Sequence, residues 1–146
     1  LTQRYGHASA ERVNSGQGLL DTFKILCESD DAPFGHVVSP ADVTEAALNQ
    51  THPHAVEALN MFCALLGSVA GNLALTIGAR GGIYIGGGIV PRLGAWFHTS
   101  PFRERFETKG RFKPYLQSIP VWVIRSQESP ALLGAERSLD ESSTTP

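Results

Sequence analysis

Cysteine is scarce in this chain of 146 residues: there are two, Cys27 and Cys63, each in apolar surroundings of helical spacing. With no pair at CxxC spacing, the sequence offers neither a disulfide framework nor a zinc motif, and both thiols read as reduced and buried in a cytosolic protein. An excess of charge is missing too. Twelve Lys and Arg stand against fourteen Asp and Glu, which gives no electrostatic case for nucleic acid or an anionic membrane. The basic residues gather between Arg80 and Arg125, but Glu104 and Glu107 interrupt them, so a solvated face is expected there. No basic segment followed by an apolar run opens the chain, so no signal peptide is expected. The first residue is Leu1 rather than Met, and a piece of a longer protein is the expectation. No internal repeat is visible.

Glycine is what the chain has in a telling place. In Gly81–Arg92, GGIYIGGGIVPR, a short run of Ile83, Tyr84 and Ile85 lies between glycines, the pattern of a buried strand. Gly86, Gly87, Gly88 and then Pro91 make the following segment a turn into a helix. Bare glycine backbone beside helix N-terminal amides suits a nucleotide or an anion, although the same residues also serve a tight turn and close packing.

Around this unit the chain reads as α/β. Residues 6–18 hold a short polar turn of helix, capped by Ser9 and ended by Ser15-Gly16. Taken alone, Glu11 beside Arg12 is an exposed ion pair of little energetic weight. Leu19–Glu28 has an amphipathic helical spacing, and Glu28–Gly35 reads as loop. Ser39-Pro40-Ala41-Asp42 is a helix start, with a capping serine, proline at the first position and an acid in the first turn.

Thr51-His52-Pro53-His54 places two histidines two apart. No cysteine or carboxylate follows within two residues, so a loop of exposed histidines is expected and no metal site is assigned. Ala58–Ala79 carries no charge and is long enough to cross a bilayer. A polar, small stripe (Asn60, Ala64, Ser68, Asn72, Thr76) opposes a bulky one (Leu59, Phe62, Leu66, Val69, Leu73), while Gly67 and Gly71 permit a close neighbour. Basic anchors and aromatic belts are absent, so a long central helix inside an α/β core is predicted. Leu93–Phe97 should continue the helix after the glycine turn, with Phe102, Phe106, Phe112 and Tyr115 as anchors on two short helical pieces. Val121–Ile124 reads as a second buried strand, and Ser129-Pro130 opens a last helix, reaching about Leu139, before a polar end.

Taken together, GHASAERVNSGQGLLDTF (6–23), GNLALTIGARGGIYIGGGIVPRL (71–93), FRERFETKGRFKPYLQSIPVWVI (102–124) and SPALLGAERSL (129–139) resemble the C-terminal part of bacterial-type glucokinases. The resemblance implies an actin-like (ribonuclease H-like) ATPase fold: residues 1–128 in the large α/β domain, 129–140 as a helix returning toward the small domain, and 141–146 as a disordered tail. It implies ATP-dependent phosphorylation of the glucose 6-hydroxyl in the cytoplasm as the first step of glycolysis. Glucose, ATP and Mg²⁺ are the implied ligands. Nucleic acid and membrane are not among the expected partners, and a homodimer remains open. Glu11 corresponds to the family's sugar-binding glutamate, whose carboxylate accepts from two hydroxyls. Gly86, Gly87 and Gly88 correspond to the glycine motif on the adenosine side, and His7 is assigned structure. The phosphate loops and the catalytic aspartate would lie upstream of Leu1. No catalytic residue is therefore assigned here, and the chain alone is not expected to turn over glucose. A sugar-binding transcriptional regulator of the same superfamily is the alternative, weakened by the lack of a cysteine-rich motif. A detergent-partitioning module built on the uncharged helix is a third. The kinase reading further expects Glu11 and Gly86–Gly88 to line opposite ends of one cleft.

Overall fold

Two single-turn helices, α1 (Thr2–Tyr5) and α2 (Ala10–Val13), open the computed structural model, which describes residues 2–7, 9–126 and 130–143. Ser9 occupies the N-cap of α2 in extended conformation, yet its side chain makes no cap bond. The capping serine is instead Ser15, whose Oγ accepts from the Gly18 amide at 3.0 Å and opens α3 (Gly16–Ser29). The turn of α2 does end just before Ser15, at Val13, but Ser15 also starts a new helix that was not expected, because an extended serine satisfies amides that nothing else reaches. Gly18 is required by packing: a Cβ there would collide with the Arg12 carbonyl.

Helix α4 (Pro40–Leu48) begins as the sequence implies. Ser39 Oγ accepts from the Asp42 amide at 3.2 Å, and Asp42 Oδ2 accepts from the Ser39 and Val38 amides at 2.8 and 3.0 Å. Both orphan ends of this capping box are thus satisfied.

Helix α5 (Pro53–Ile77) starts earlier than its uncharged stretch, with His52 at the N-cap and Pro53 in the first turn. Proline at that point loses no hydrogen bond, so the segment expected as a histidine loop becomes a helix start and both rings are half-buried. Gly78, with φ of 63°, closes α5 in left-handed conformation, leading to strand β1 (Ile83–Ile85).

The next helix is broken where continuity was expected. Gly94, with φ of 55°, separates α6 (Val90–Leu93) from α7 (Trp96–Thr99). Helix α8 (Phe102–Glu107), a 3-10 turn (Gly110–Phe112), α9 (Lys113–Gln117) and strand β2 (Val121–Val123) follow. Helix α10 (Pro130–Ser143) runs beyond the expected end at 140, into the stretch expected as a disordered tail. Neither glycine nor proline stands between Gly134 and Pro146 to stop it. Its residues 131–140 are exposed; the capping position, Ser129, and the end of the tail lie outside the described residues.

Helix α5 is the axis of the packing, with α3 and α4 beside its first half and α8 and α9 along its second. It is long and apolar enough to cross a membrane, but Ala58, Leu59, Phe62, Cys63, Gly67 and Ala70 are buried in the protein. Leu19, Phe23, Leu59, Phe106 and Leu116 are fully buried. Each contributes about 1.5–3 kcal/mol by leaving water. The bulky stripe does not stay inside: Val69 and Leu73 are exposed. Past Phe62 the buried face consists of small residues instead, because α8 crosses so closely that only glycine fits. A Cβ on Gly67 would overlap the Phe102 carbonyl oxygen, and one on Gly71 would lie 2.5 Å from that of Phe106.

Three side chains fasten this second half. Lys109 Nζ donates to the Ser68 carbonyl on α5 at 3.0 Å, and Tyr115 Oη donates to the Ala79 carbonyl at 2.6 Å. Arg103 donates to the Ile119 and Gln117 carbonyls, both at 2.9 Å, and pairs with Glu107. These bonds carry the chain from α9 into β2, which pairs parallel with β1 in the register Ile83–Val121 and Ile85–Val123. Ile83 and Ile85 face the core, while Tyr84 and Trp122 stack on the outer side with centroids 5.2 Å apart. The second strand is thus only half-buried, not fully covered as expected.

Candidate functional site

Helix α2 is one turn long, and the chain reverses at Ser15 to enter α3. The reversal encloses a cavity of about 160 Å³ lined by Ser9, Glu11, Arg12, Gln17, Gly18 and Asp21. Arg12 does not pair with Glu11 as their adjacency suggested: its guanidinium lies 4.4 Å from the centre of the Tyr5 ring. Among the described residues no ion pair engages Glu11, so its carboxylate faces the cavity as an uncommitted acceptor. Asp21 is different. It is buried, and its two oxygens accept from Tyr5 Oη at 2.7 Å and Gln17 Nε2 at 2.9 Å. The cavity is therefore walled by hydroxyl, amide and carboxylate groups, a lining that suits a neutral polyol. Gln17 and Asp21 were not singled out in the sequence; their only signal was an i, i+4 pairing on the first turns of α3. His7 is exposed and lines none of this cavity.

A second cavity, of about 240 Å³, lies between α4 and the turn after β1. Pro40, Thr44, Glu45, Leu48, Gly88 and Arg92 are among its walls. Of the three glycines after β1, Gly88 alone lines it. A Cβ on Gly88 would meet nothing of this chain, so internal packing does not demand glycine there. Gly87 has φ of 110°, a conformation that other residues rarely adopt, and a Cβ on Gly86 would touch only Ile124 at 3.8 Å. The helix that follows is a single turn, so its dipole adds little to anion binding and bare backbone is the main feature. Glu11 and Gly88 thus line two cavities instead of one cleft. The N-termini of α3 and α4 meet between them, where a Cβ on Gly16 would sit 3.6 Å from Pro40.

Both cysteines are buried and unpaired. Burial pushes the Cys63 thiol up to about 11, which keeps it protonated and unreactive. Burial also raises Cys27, with the Asp30 and Glu28 carboxylates adding to the effect. The histidine reading changes with the tertiary structure. The last turn of α3 brings Cys27 to His52 and His54, so that one ligand atom from each lies within 4.8 Å of the others. This is the one such group of three or more among the described residues. Its sulfur and nitrogen donors do not suit Mg²⁺, which takes oxygen ligands.

Residues 1–142 match the family model described as Glucokinase. A curated glucokinase from Neisseria meningitidis serogroup C is 50% identical over 137 residues, which is 94% of this chain and 41% of that protein. One from Chromobacterium violaceum is 55% identical over 131 residues, 90% of this chain and 37% of that protein. The crystal structure of a glucokinase from an Antarctic psychrotroph superposes with a TM-score of 0.75 at 36% identity, covering 86% of this chain and 39% of the other. The chain thus spans about two fifths of the length of the relatives it matches.

Proposed function

The chain belongs to the glucokinase family, and from that premise we propose that it forms the C-terminal part of an ATP-dependent glucokinase of the cytoplasm. The reaction is transfer of the ATP γ-phosphoryl group to the 6-hydroxyl of glucose. The match across residues 1–142 carries this reading. In it, the fold completes as an actin-like ATPase, with the short parallel sheet and α5 as one share of a larger α/β lobe.

The chain's own residues supply binding in this scheme. Glu11 accepts from sugar hydroxyls and orients the ring, and Asp21, held by Tyr5 and Gln17, shapes the wall behind it. A sugar lacking the recognised hydroxyl would forfeit its contact with the Glu11 carboxylate, which makes such a contact selective. The cavity beside Gly88 takes the adenosine end of ATP. Its apolar side (Leu48 and Ile89) suits the base, and Thr44, Glu45 and Asn49 offer partners to polar edges. ATP supplies the transferred group, and among the described residues no cluster of oxygen ligands suits Mg²⁺.

The separation of the two cavities by the α3 and α4 N-termini is compatible with a long ligand pair, sugar at one end and nucleoside at the other. Calorimetric titration of the intact protein with glucose and an unreactive ATP analogue tests the assignment. Glu11→Gln should weaken glucose and spare the nucleotide, and Gly88→Val should do the reverse. If each variant weakens both ligands equally, or neither, the assignment fails. The 146-residue chain alone should give no glucose 6-phosphate in a coupled assay.

A further inference from the structure

We propose that Cys27, His52 and His54 bind a divalent transition cation of the zinc class where the end of α3 meets the start of α5. The inference is independent of the sugar and nucleotide reading. It starts from hydrogen bonding at the histidines. His52 Nε2 lies 3.0 Å from the Pro33 carbonyl oxygen, which can only accept, so Nε2 carries the proton. In the neutral ring Nδ1 is then a bare lone pair, and that atom is buried without a hydrogen-bond partner. A buried acceptor left empty is costly and uncommon. His54 Nε2 lies 2.9 Å from Asp30 Oδ2, an arrangement that likewise assigns the proton to Nε2 and the lone pair to Nδ1. Metal-binding histidines are typically held this way, with the remote nitrogen donating to a carbonyl or carboxylate.

The third group is the Cys27 thiol, wholly buried at the last turn of α3. In the metal-free protein, burial and two nearby carboxylates favour its protonated form, so it is no nucleophile. A cation would compensate the same surroundings. Binding breaks the S–H bond, releases that proton to solvent and forms a sulfur–metal bond. One thiolate with two imidazoles selects zinc, cobalt or copper over magnesium or calcium. Tetrahedral ligands of zinc stand roughly 3.5 Å apart, given metal bonds of about 2.0–2.3 Å. One ligand atom from each of the three residues lies within 4.8 Å of the others, so binding has to draw the three together. The open edge is at Asp30, whose side chain is 65% exposed against 16% for His54, and it leaves a fourth position for water.

The test is titration of the metal-stripped, reduced protein with Co²⁺, followed by near-ultraviolet and visible absorption, with Zn²⁺ in competition. One equivalent should bind and show a thiolate-to-cobalt charge-transfer band. Cys27→Ser should abolish the band, and Cys63→Ser should keep it. His54→Ala and Asp30→Asn, both at the open edge, should weaken binding about ten-fold or more, which remains readable even where the Cys27 variant does not fold. Binding without a thiolate band, no binding at all, or unchanged affinity in the His54 and Asp30 variants each overturns the proposal.

Discussion

Substituting Gly67 by alanine sets two opposed effects against each other. Alanine is better than glycine in a helix interior by about 1 kcal/mol, which would stabilise α5. Against this, the new Cβ would overlap the Phe102 carbonyl oxygen and approach its carbonyl carbon to 3.0 Å and its Cα to 3.1 Å. The obstacle is backbone, so it cannot swing aside as a side chain would. Helix α8 must retreat, loosening Phe102 and Phe106, which are 3% and 0% exposed. Overpacking of this kind costs about 1–3 kcal/mol, and part of the roughly 1.5–3 kcal/mol from burying each phenylalanine is lost as well. The clash should win. Net destabilisation of about 1–3 kcal/mol is expected, read as a lower urea midpoint with unchanged m-value. Gly81→Ala, where a Cβ meets open space, is the control and should stay within about 0.5 kcal/mol of the parent. A Gly67→Ala protein as stable as the parent, or more so, would refute the close crossing of α5 and α8.

Glu11→Gln should leave the unfolding midpoint unchanged, since the side chain is exposed. It should also raise the glucose dissociation constant of the intact protein about ten-fold or more, as loss of a charged acceptor would. Gly88→Val should cost no stability, because the site is open, yet raise the nucleotide dissociation constant; unchanged nucleotide binding would remove Gly88 from the site. The Val38 amide, then the Ser39 hydroxyl and amide, hold the Asp42 carboxyl below its usual range. Its contribution is therefore complete above the ordinary carboxylate pKa and is lost as pH falls through the lower, folded value. The stability gap between the parent and Asp42→Asn should be full at pH 7 and shrink below about pH 4. A gap independent of pH would show that the carboxylate does not cap α4. Ser39→Ala should cost about 1 kcal/mol at neutral pH in urea unfolding.

Local chemistry was legible wherever the residues that interact are close in the chain. Ser39, Pro40 and Asp42 declare the start of α4 because the capping box closes within four residues. Ile83–Ile85, bounded by glycine, declares a strand, and the uncharged run around Gly67 and Gly71 declares a long, closely packed helix. The motif resemblance likewise pointed to the family that the comparisons show. Finer assignments failed at the serines: Ser9, read as a cap, makes no cap bond, while Ser15, read as part of a helix end, caps α3.

The sequence by itself therefore determined the start of α4, the two short strands and the family, since these depend on neighbours or on motifs in fixed order. The tertiary structure alone decided which face of α5 is buried, because α8, remote in sequence, crosses it within glycine distance. It also decided that Glu11 and Gly88 line separate cavities, and that Cys27 meets two histidines that seemed to lack a third ligand. Contacts between residues far apart in the chain arise from helix packing, which no local spacing encodes.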